Sequence, residues 1–227
     1  LLGPDAGTLA GLSDSGVLLS DDIAGQADNF DVLIDFSVVE ATLGHVEVCG
    51  TAGKKMVIGT TGFTHQQQEF IEAESGDIAV VMSANYSAGV NIMLKLIEKG
   101  AEAFGDSVDV EILEAHHRHK VDAPSGTALK MGEVVAKATG RDLRTHAVYE
   151  RRGHTGERKE GTIGFQTLRG GDITGEHNVM FCGLGERIEV VHKSWSRMTY
   201  ASGAVRAAKW LATKKKGLYD MQDVLGF

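Results

Sequence analysis

Three short apolar runs punctuate the first third of the chain: Val32-Leu33-Ile34, Met56-Val57-Ile58 and Ile78-Ala79-Val80-Val81-Met82. The segments between them, 40–52 and 65–74, mix polar and apolar residues at helical spacing. Runs with two apolar faces, separated by helices, predict βαβ units of a parallel sheet. Each run gives way to small or polar residues: Asp35-Phe36-Ser37, Gly59-Thr60-Thr61-Gly62 and Ser83-Ala84-Asn85-Tyr86. In open α/β sheets ligands sit beyond those carboxyl ends. This part of the chain therefore reads as a nucleotide-binding type of domain.

The rhythm then changes. Val90, Met93, Leu94, Ile97, Ala101 and Phe104 form a helical stripe closed by Gly105. Residues 108–115 alternate as a strand does. Ser125 is placed to N-cap a helix with the stripe Ala128, Met131, Val135 and Ala138, closed by Gly140. Strand-like segments follow at 163–168, 177–182 and 187–192, and pairing among them predicts an α+β domain with a mixed sheet. Residues 198–213 return to helical spacing, and Lys214-Lys215-Lys216-Gly217 suits that helix's C-terminus.

Composition narrows the classes. With 31 Asp and Glu against 23 Lys and Arg, the net charge is −8, which argues against general binding to nucleic acid or anionic membranes. The longest charge-free run, 78–94, contains Ser83, Asn85, Tyr86, Ser87 and Asn91 and is too polar to span a bilayer. Cys49 and Cys182 lack metal-type spacing and suit free buried thiols in a reducing cytoplasm.

Against that acidic background, residues 114–128 read E-A-H-H-R-H-K-V-D-A-P-S-G-T-A. If the strand persists, His116, Arg118 and Lys120 share one face and His117 and His119 the other. An imidazole beside an ammonium makes an acid–base pair and attracts anions. The helix expected after Ser125 adds backbone N–H groups at Gly126 and Thr127, two hydroxyls and the positive end of a helix dipole. A small dicarboxylate would be held by such a set. Metal binding is disfavoured, because no H-E-x-x-H spacing occurs and Arg118 and Lys120 repel cations. A solvated basic loop with a structural cap remains an equal reading of these residues alone. His45, His65, His146, His154, His177 and His192 stand apart and read as surface or core residues. Neither G-x-G-x-x-G nor a P-loop occurs in the chain.

The motif closely resembles the signature of the 4-hydroxy-tetrahydrodipicolinate reductase (dihydrodipicolinate reductase) family. The resemblance extends through V-L-I-D-F-S, M-V-I-G-T-T-G-F, A-N-Y-S-A-G-V-N, H-T-G-E-R, G-T-I-G-F, G-G-D-I-T-G-E-H and S-R-M-T-Y-A. It implies a Rossmann-like domain over 1–87 and 197–227, and a substrate-binding and tetramerisation domain over 88–196. It implies an NADH- or NADPH-dependent reductase of a small dicarboxylate, cytoplasmic and homotetrameric, in the diaminopimelate route to lysine. His116 and Lys120 take the catalytic roles, with His117, Ser125, Gly126 and Thr127 on the substrate. Gly59, Thr60, Thr61, Ser83, Ala84, Asn85 and Tyr86 line the nicotinamide cofactor, and no metal is involved. The family opens with a strand and glycine-rich turn for the pyrophosphate, so a segment ahead of Leu1 is expected to be absent here. Ser37-Val38-Val39-Glu40 departs from the family, which often has a proline before the Glu.

Overall fold

A computed structural model describes residues 2–227. The chain divides into two compact units, 1–84 with 204–220 and 85–203 with 221–227. These crossings fall a few residues from the expected 87/88 and 196/197, and the last seven residues count with the second unit.

In the first unit a short helix α1 (Ala6–Leu9) precedes the sheet. Strands β1 (Val32–Asp35), β2 (Lys55–Ile58) and β3 (Ala79–Met82) run parallel in that order. Helices α2 (Val39–Ala52) and α3 (His65–Glu74) connect them. Gly53 ends α2 at φ 64°, where a side chain would be strained. A reciprocal Thr64–Gln67 capping box starts α3. Val46 and Cys49 of α2 and Ile71 of α3 pack with Met56, Ile58 and Val80. Each large side chain so buried contributes about 1.5–3 kcal/mol. Burial, aided by the charge of Asp35, pushes the Cys49 thiol up to about 11. Both cysteines are free, and Cys182 is only half-buried.

A fourth parallel strand, β9 (Gly217–Tyr219), joins β3. The expectation that Lys214–Gly217 closes the preceding helix is corrected here. That helix, α7 (Met198–Leu211), stops earlier. Gly217 instead opens β9, donating its N–H to Ser75 O and Ile78 O at 2.8 and 3.2 Å. Three residues pairing with a strand far upstream leave no periodic signal of their own.

The second unit holds a five-stranded mixed sheet in the order β5-β6-β4-β7-β8. Its strands are β4 (Asp109–His116), β5 (Ala147–Val148), β6 (Ile163–Arg169), β7 (Gly175–Cys182) and β8 (Arg187–Ser194). β4 pairs parallel with β6 and antiparallel with β7. Helices α4 (Ala88–Phe104) and α5 (Gly126–Ala138) cover one face. Met93, Ile97, Met131 and Val135 meet Val110, Ile112, Phe165, Val179 and Phe181 there in one core. Two short helices, α6 (Leu143–His146) and α8 (Met221–Leu225), complete the unit. No helix among the described residues is long and apolar enough to cross a membrane.

Candidate active site

Side chains alternate along β4, so Val110, Ile112, Glu114 and His116 share the face that meets the helices. Strand register widens that face. Thr167 of β6 and His177 of β7 lie opposite Glu114, and Arg169 lies opposite His116. Apolar residues fill the middle of the sheet, and this polar group gathers where β4 ends.

Glu114 is 1% exposed and lies at the centre of the group. Its Oε2 accepts from His116 Nδ1 at 2.6 Å and from an Arg169 guanidinium nitrogen at 2.7 Å. Its Oε1 accepts from the other Arg169 nitrogen at 2.8 Å and from Ser125 N at 3.0 Å. Burial alone would raise the carboxyl's pKa; the bonds from Arg169, His116 and Ser125 outweigh it and hold the group below its ordinary value. An ionised carboxylate only accepts, so His116 carries a proton on Nδ1 and leaves Nε2 for exchange. A Cβ at Gly175 would stand 3.2 Å from that Nε2. Glycine keeps the approach open.

β4 ends at His116, and the expected alternation through Lys120 does not occur. Past Arg169 the β6 strand stops, so the ladder has no partner to continue on. Arg118 N instead donates to Gly171 O, and Lys120 N turns back to His117 O at 3.1 Å. The turn leaves Arg118 and His119 exposed and Lys120 half-buried, with its Nζ on Asp122 Oδ1 at 2.8 Å. Arg169 also holds this loop by donating to Asp122 O at 2.6 Å. His117 is half-buried, with no partner for Nδ1. Burial and then the charge of Arg197 lower its pKa, favouring the neutral ring.

Ser125 N-caps α5 as its sequence position predicts, accepting from Ala128 N. Its Oγ lies 3.2 Å from His177 Nε2. His177 is buried, edge-on to His116 with ring centroids 5.3 Å apart. Burial above all, then the neighbouring His116, pushes His177 down to about 4. Gly126 is exposed and Thr127 half-buried. In the first helical turn their N–H groups have no acceptor within the helix. Thr127 Oγ1 receives Asn85 Nδ2 at 3.4 Å, so Asn85 stands beside the start of α5. Tyr86 is buried, at 1% exposure.

The remaining candidates lie in the first unit. Gly59, Thr60 and Thr61 follow β2 and, with Phe36, Ser37, Val38, Val39 and Glu40, line a groove of about 400 Å³. A Cβ at Gly59 would fall 2.2 Å from the Phe36 ring, so glycine lets that ring lie on the backbone. Thr60 is buried and its Oγ1 accepts from Thr42 Oγ1. Ser83 continues the sheet through its N–H to Ile58 O, and Ala84 is exposed. α2 begins at this groove with no side-chain cap, leaving its first N–H groups open, and Glu40 stands in its first turn. Open amides suit a phosphate and a carboxylate suits ribose hydroxyls, so these residues fit part of a dinucleotide.

Sequence reasoning did not single out Glu114, Thr167, Arg169, Gly175 or His177. Glu114 had a signal, since it lies two residues before His116 on the same strand face. Arg169 had none, and His177 closed the quoted G-G-D-I-T-G-E-H without a role of its own, because only strand pairing brings the two to the site.

The fold is shared with solved dehydrogenases. An amine dehydrogenase from Mycobacterium smegmatis matches at 12% identity and TM-score 0.55, over 96% of this chain and 83% of that one. A probable dehydrogenase from Thermotoga maritima matches at 10% identity and TM-score 0.54, over 90% and 77%. The fold is thus of the Rossmann-like class. The family models for the N-terminus and C-terminus of dihydrodipicolinate reductase match residues 1–86 and 89–225. A dipicolinate-bound dihydrodipicolinate reductase from Paenisporosarcina sp. TG-14 matches at 26% identity and TM-score 0.70, over 86% of this chain and 73% of that one. The chain belongs to the dihydrodipicolinate reductase family.

Proposed function

We propose that this chain reduces 4-hydroxy-tetrahydrodipicolinate to tetrahydrodipicolinate with loss of water, using NADH or NADPH, in the diaminopimelate route to lysine. The observation that carries the reading is the convergence of His116, Lys120 and the start of α5 around Glu114 and Arg169. Membership of the family supports it, as does a relative whose bound ligand is dipicolinate. Reduced nicotinamide, when bound, supplies the hydride. The residues lining the groove beyond β1 and β2, together with Ser83 and Ala84, hold that cofactor.

The substrate's carboxylates bind the N–H groups of Gly126 and Thr127, the hydroxyls of Ser125 and Thr127, and neutral His117. Each hydrogen bond to a charged carboxylate contributes about 1.5–3 kcal/mol. His116 exchanges the proton at Nε2 while Nδ1 stays on Glu114. The Lys120 ammonium offsets negative charge that develops as the ring is reduced. These groups carry the proton and charge chemistry.

Assembly and location complete the proposal. Leu113, Leu168 and Val191 are 37, 48 and 51% exposed. Register places them together on the sheet face opposite the helices. A homotetramer in the cytoplasm would bury that face.

His116→Gln tests the chemistry. Turnover should fall by roughly 100-fold or more, with pyridine-2,6-dicarboxylate affinity, read by calorimetry, nearly unchanged. Unchanged turnover removes His116 from the reaction.

A further inference from the structure

We infer that Glu114 is the positioning residue of this site: it fixes which nitrogen of His116 carries the proton and ties that ring to the first turn of α5. The inference deepens the proposed reaction and takes its catalytic meaning from that reading.

A purely structural ion pair would need only Arg169. Here the two oxygens of Glu114 also take one titratable ring and one backbone N–H, at 2.6 and 3.0 Å. The ring belongs to the proposed proton carrier, and the N–H belongs to the N-cap of the helix proposed to bind the substrate's carboxylates. Arg169 grips both oxygens and, through Asp122 O, the loop that carries Lys120. Thr167 Oγ1 adds a longer contact at 3.4 Å. The bidentate grip fixes the plane of the carboxylate, and that plane sets the directions of its other two bonds. A neutral imidazole has two tautomers of similar energy in water; a buried, ionised acceptor on Nδ1 selects one. Proton exchange at Nε2 and anion binding at α5 are thereby held at a fixed spacing, as a small rigid substrate requires.

Two-bond proton–nitrogen NMR on ¹⁵N-histidine-labelled protein reads the tautomer directly. In the wild-type chain His116 should carry its proton on Nδ1. Glu114→Gln keeps the shape and can still accept from Ser125, but its amide donates to Nδ1. His116 should then shift to the Nε2–H form. Turnover should fall about 10- to 100-fold, as for other acceptors that orient an imidazole. Affinity for pyridine-2,6-dicarboxylate should stay within roughly threefold, because the start of α5 keeps its acceptor. Glu114→Ala, which also frees the Ser125 N–H, should weaken that affinity by about tenfold.

A wild-type His116 protonated on Nε2 overturns the inference before any variant is made. A folded Glu114→Gln with unchanged tautomer and turnover overturns it as well, and a folded Glu114→Ala with unchanged affinity removes the tie to α5. If a wild-type chain with His116 protonated on Nδ1 neither binds the dicarboxylate nor reduces the substrate, the proposed reaction fails while the positioning of His116 stands.

Discussion

Each unit ends a strand with a buried carboxylate, and the two are built differently. Asp35 closes β1 at 4% exposure, and Glu114 lies near the end of β4 at 1%. Both accept from a histidine Nδ1: His45 for Asp35 at 3.0 Å, His116 for Glu114 at 2.6 Å. Both also accept a backbone N–H from further along the chain, Ser37 at 2.8 Å and Ser125 at 3.0 Å. Ser37 and His45, which bond Asp35, come from the β1–α2 connection and from α2 itself and carry no permanent charge. Glu114 draws Arg169 from β6, and its histidine is part of a charged motif. A locally satisfied carboxylate organises a turn. One satisfied from other strands fixes several elements relative to each other, and that is what a substrate site needs.

Truncation should separate the two most strongly. Glu114→Ala leaves Arg169 without its carboxylate and should cost about 3–5 kcal/mol in urea unfolding. A cost under about 1 kcal/mol would show that the β4–β6 clamp is incidental.

Acid should expose the second difference, since a buried imidazole accompanies only Glu114. His177 is held near 4 when folded and has an ordinary value of 6.5. Between those values the unfolded chain binds a proton that the folded chain refuses, so stability falls as pH drops from 6.5 toward 4. The loss from this residue should reach roughly 3 kcal/mol. His177→Gln should flatten that limb of the stability–pH curve; an unchanged limb would rule His177 out as its source.

The carboxylates act lower down. Both folded pKa values lie below the ordinary 3.8 of Asp35 and 4.5 of Glu114, against the effect of burial and because of their donors. Their contribution is present above those ordinary values and is lost as pH falls through the folded ones. Asp35→Ala should cost about 1–3 kcal/mol at neutral pH, less than Glu114→Ala, because no guanidinium is left behind without its carboxylate. An equal or larger loss would erase the distinction between a local and a long-range carboxylate.

The smallest expected effect on stability is at the groove beside Asp35. In Gly59→Ala the new methyl displaces the half-exposed Phe36 ring toward solvent, with a stability change of about 0.5 kcal/mol. Binding of NADH, followed by fluorescence, should weaken several-fold if the groove holds the cofactor, while pyridine-2,6-dicarboxylate binding should not change. Unaltered NADH affinity would move the cofactor away from Gly59.

Much of this architecture was legible in the residues. The double-sided apolar runs predict β1, β2 and β3 because a strand covered on both faces has nowhere to place polar side chains. Ser125 announces its helix because an N-cap needs only a hydroxyl and the next few residues. The grouping of His116 to Thr127 as a candidate site was legible for the same reason, as its cations and its helix start are neighbours in sequence. The tertiary structure alone decided the rest. It ended β4 at His116, folded Lys120 back onto Asp122, recruited β9 to the parallel sheet, and set Arg169 and His177 around Glu114. Helix periods and caps are set over one or two turns of chain. Strand pairing joins residues separated by any length of chain, so the partner that ionises, orients or buries a side chain is fixed only once the sheet has formed.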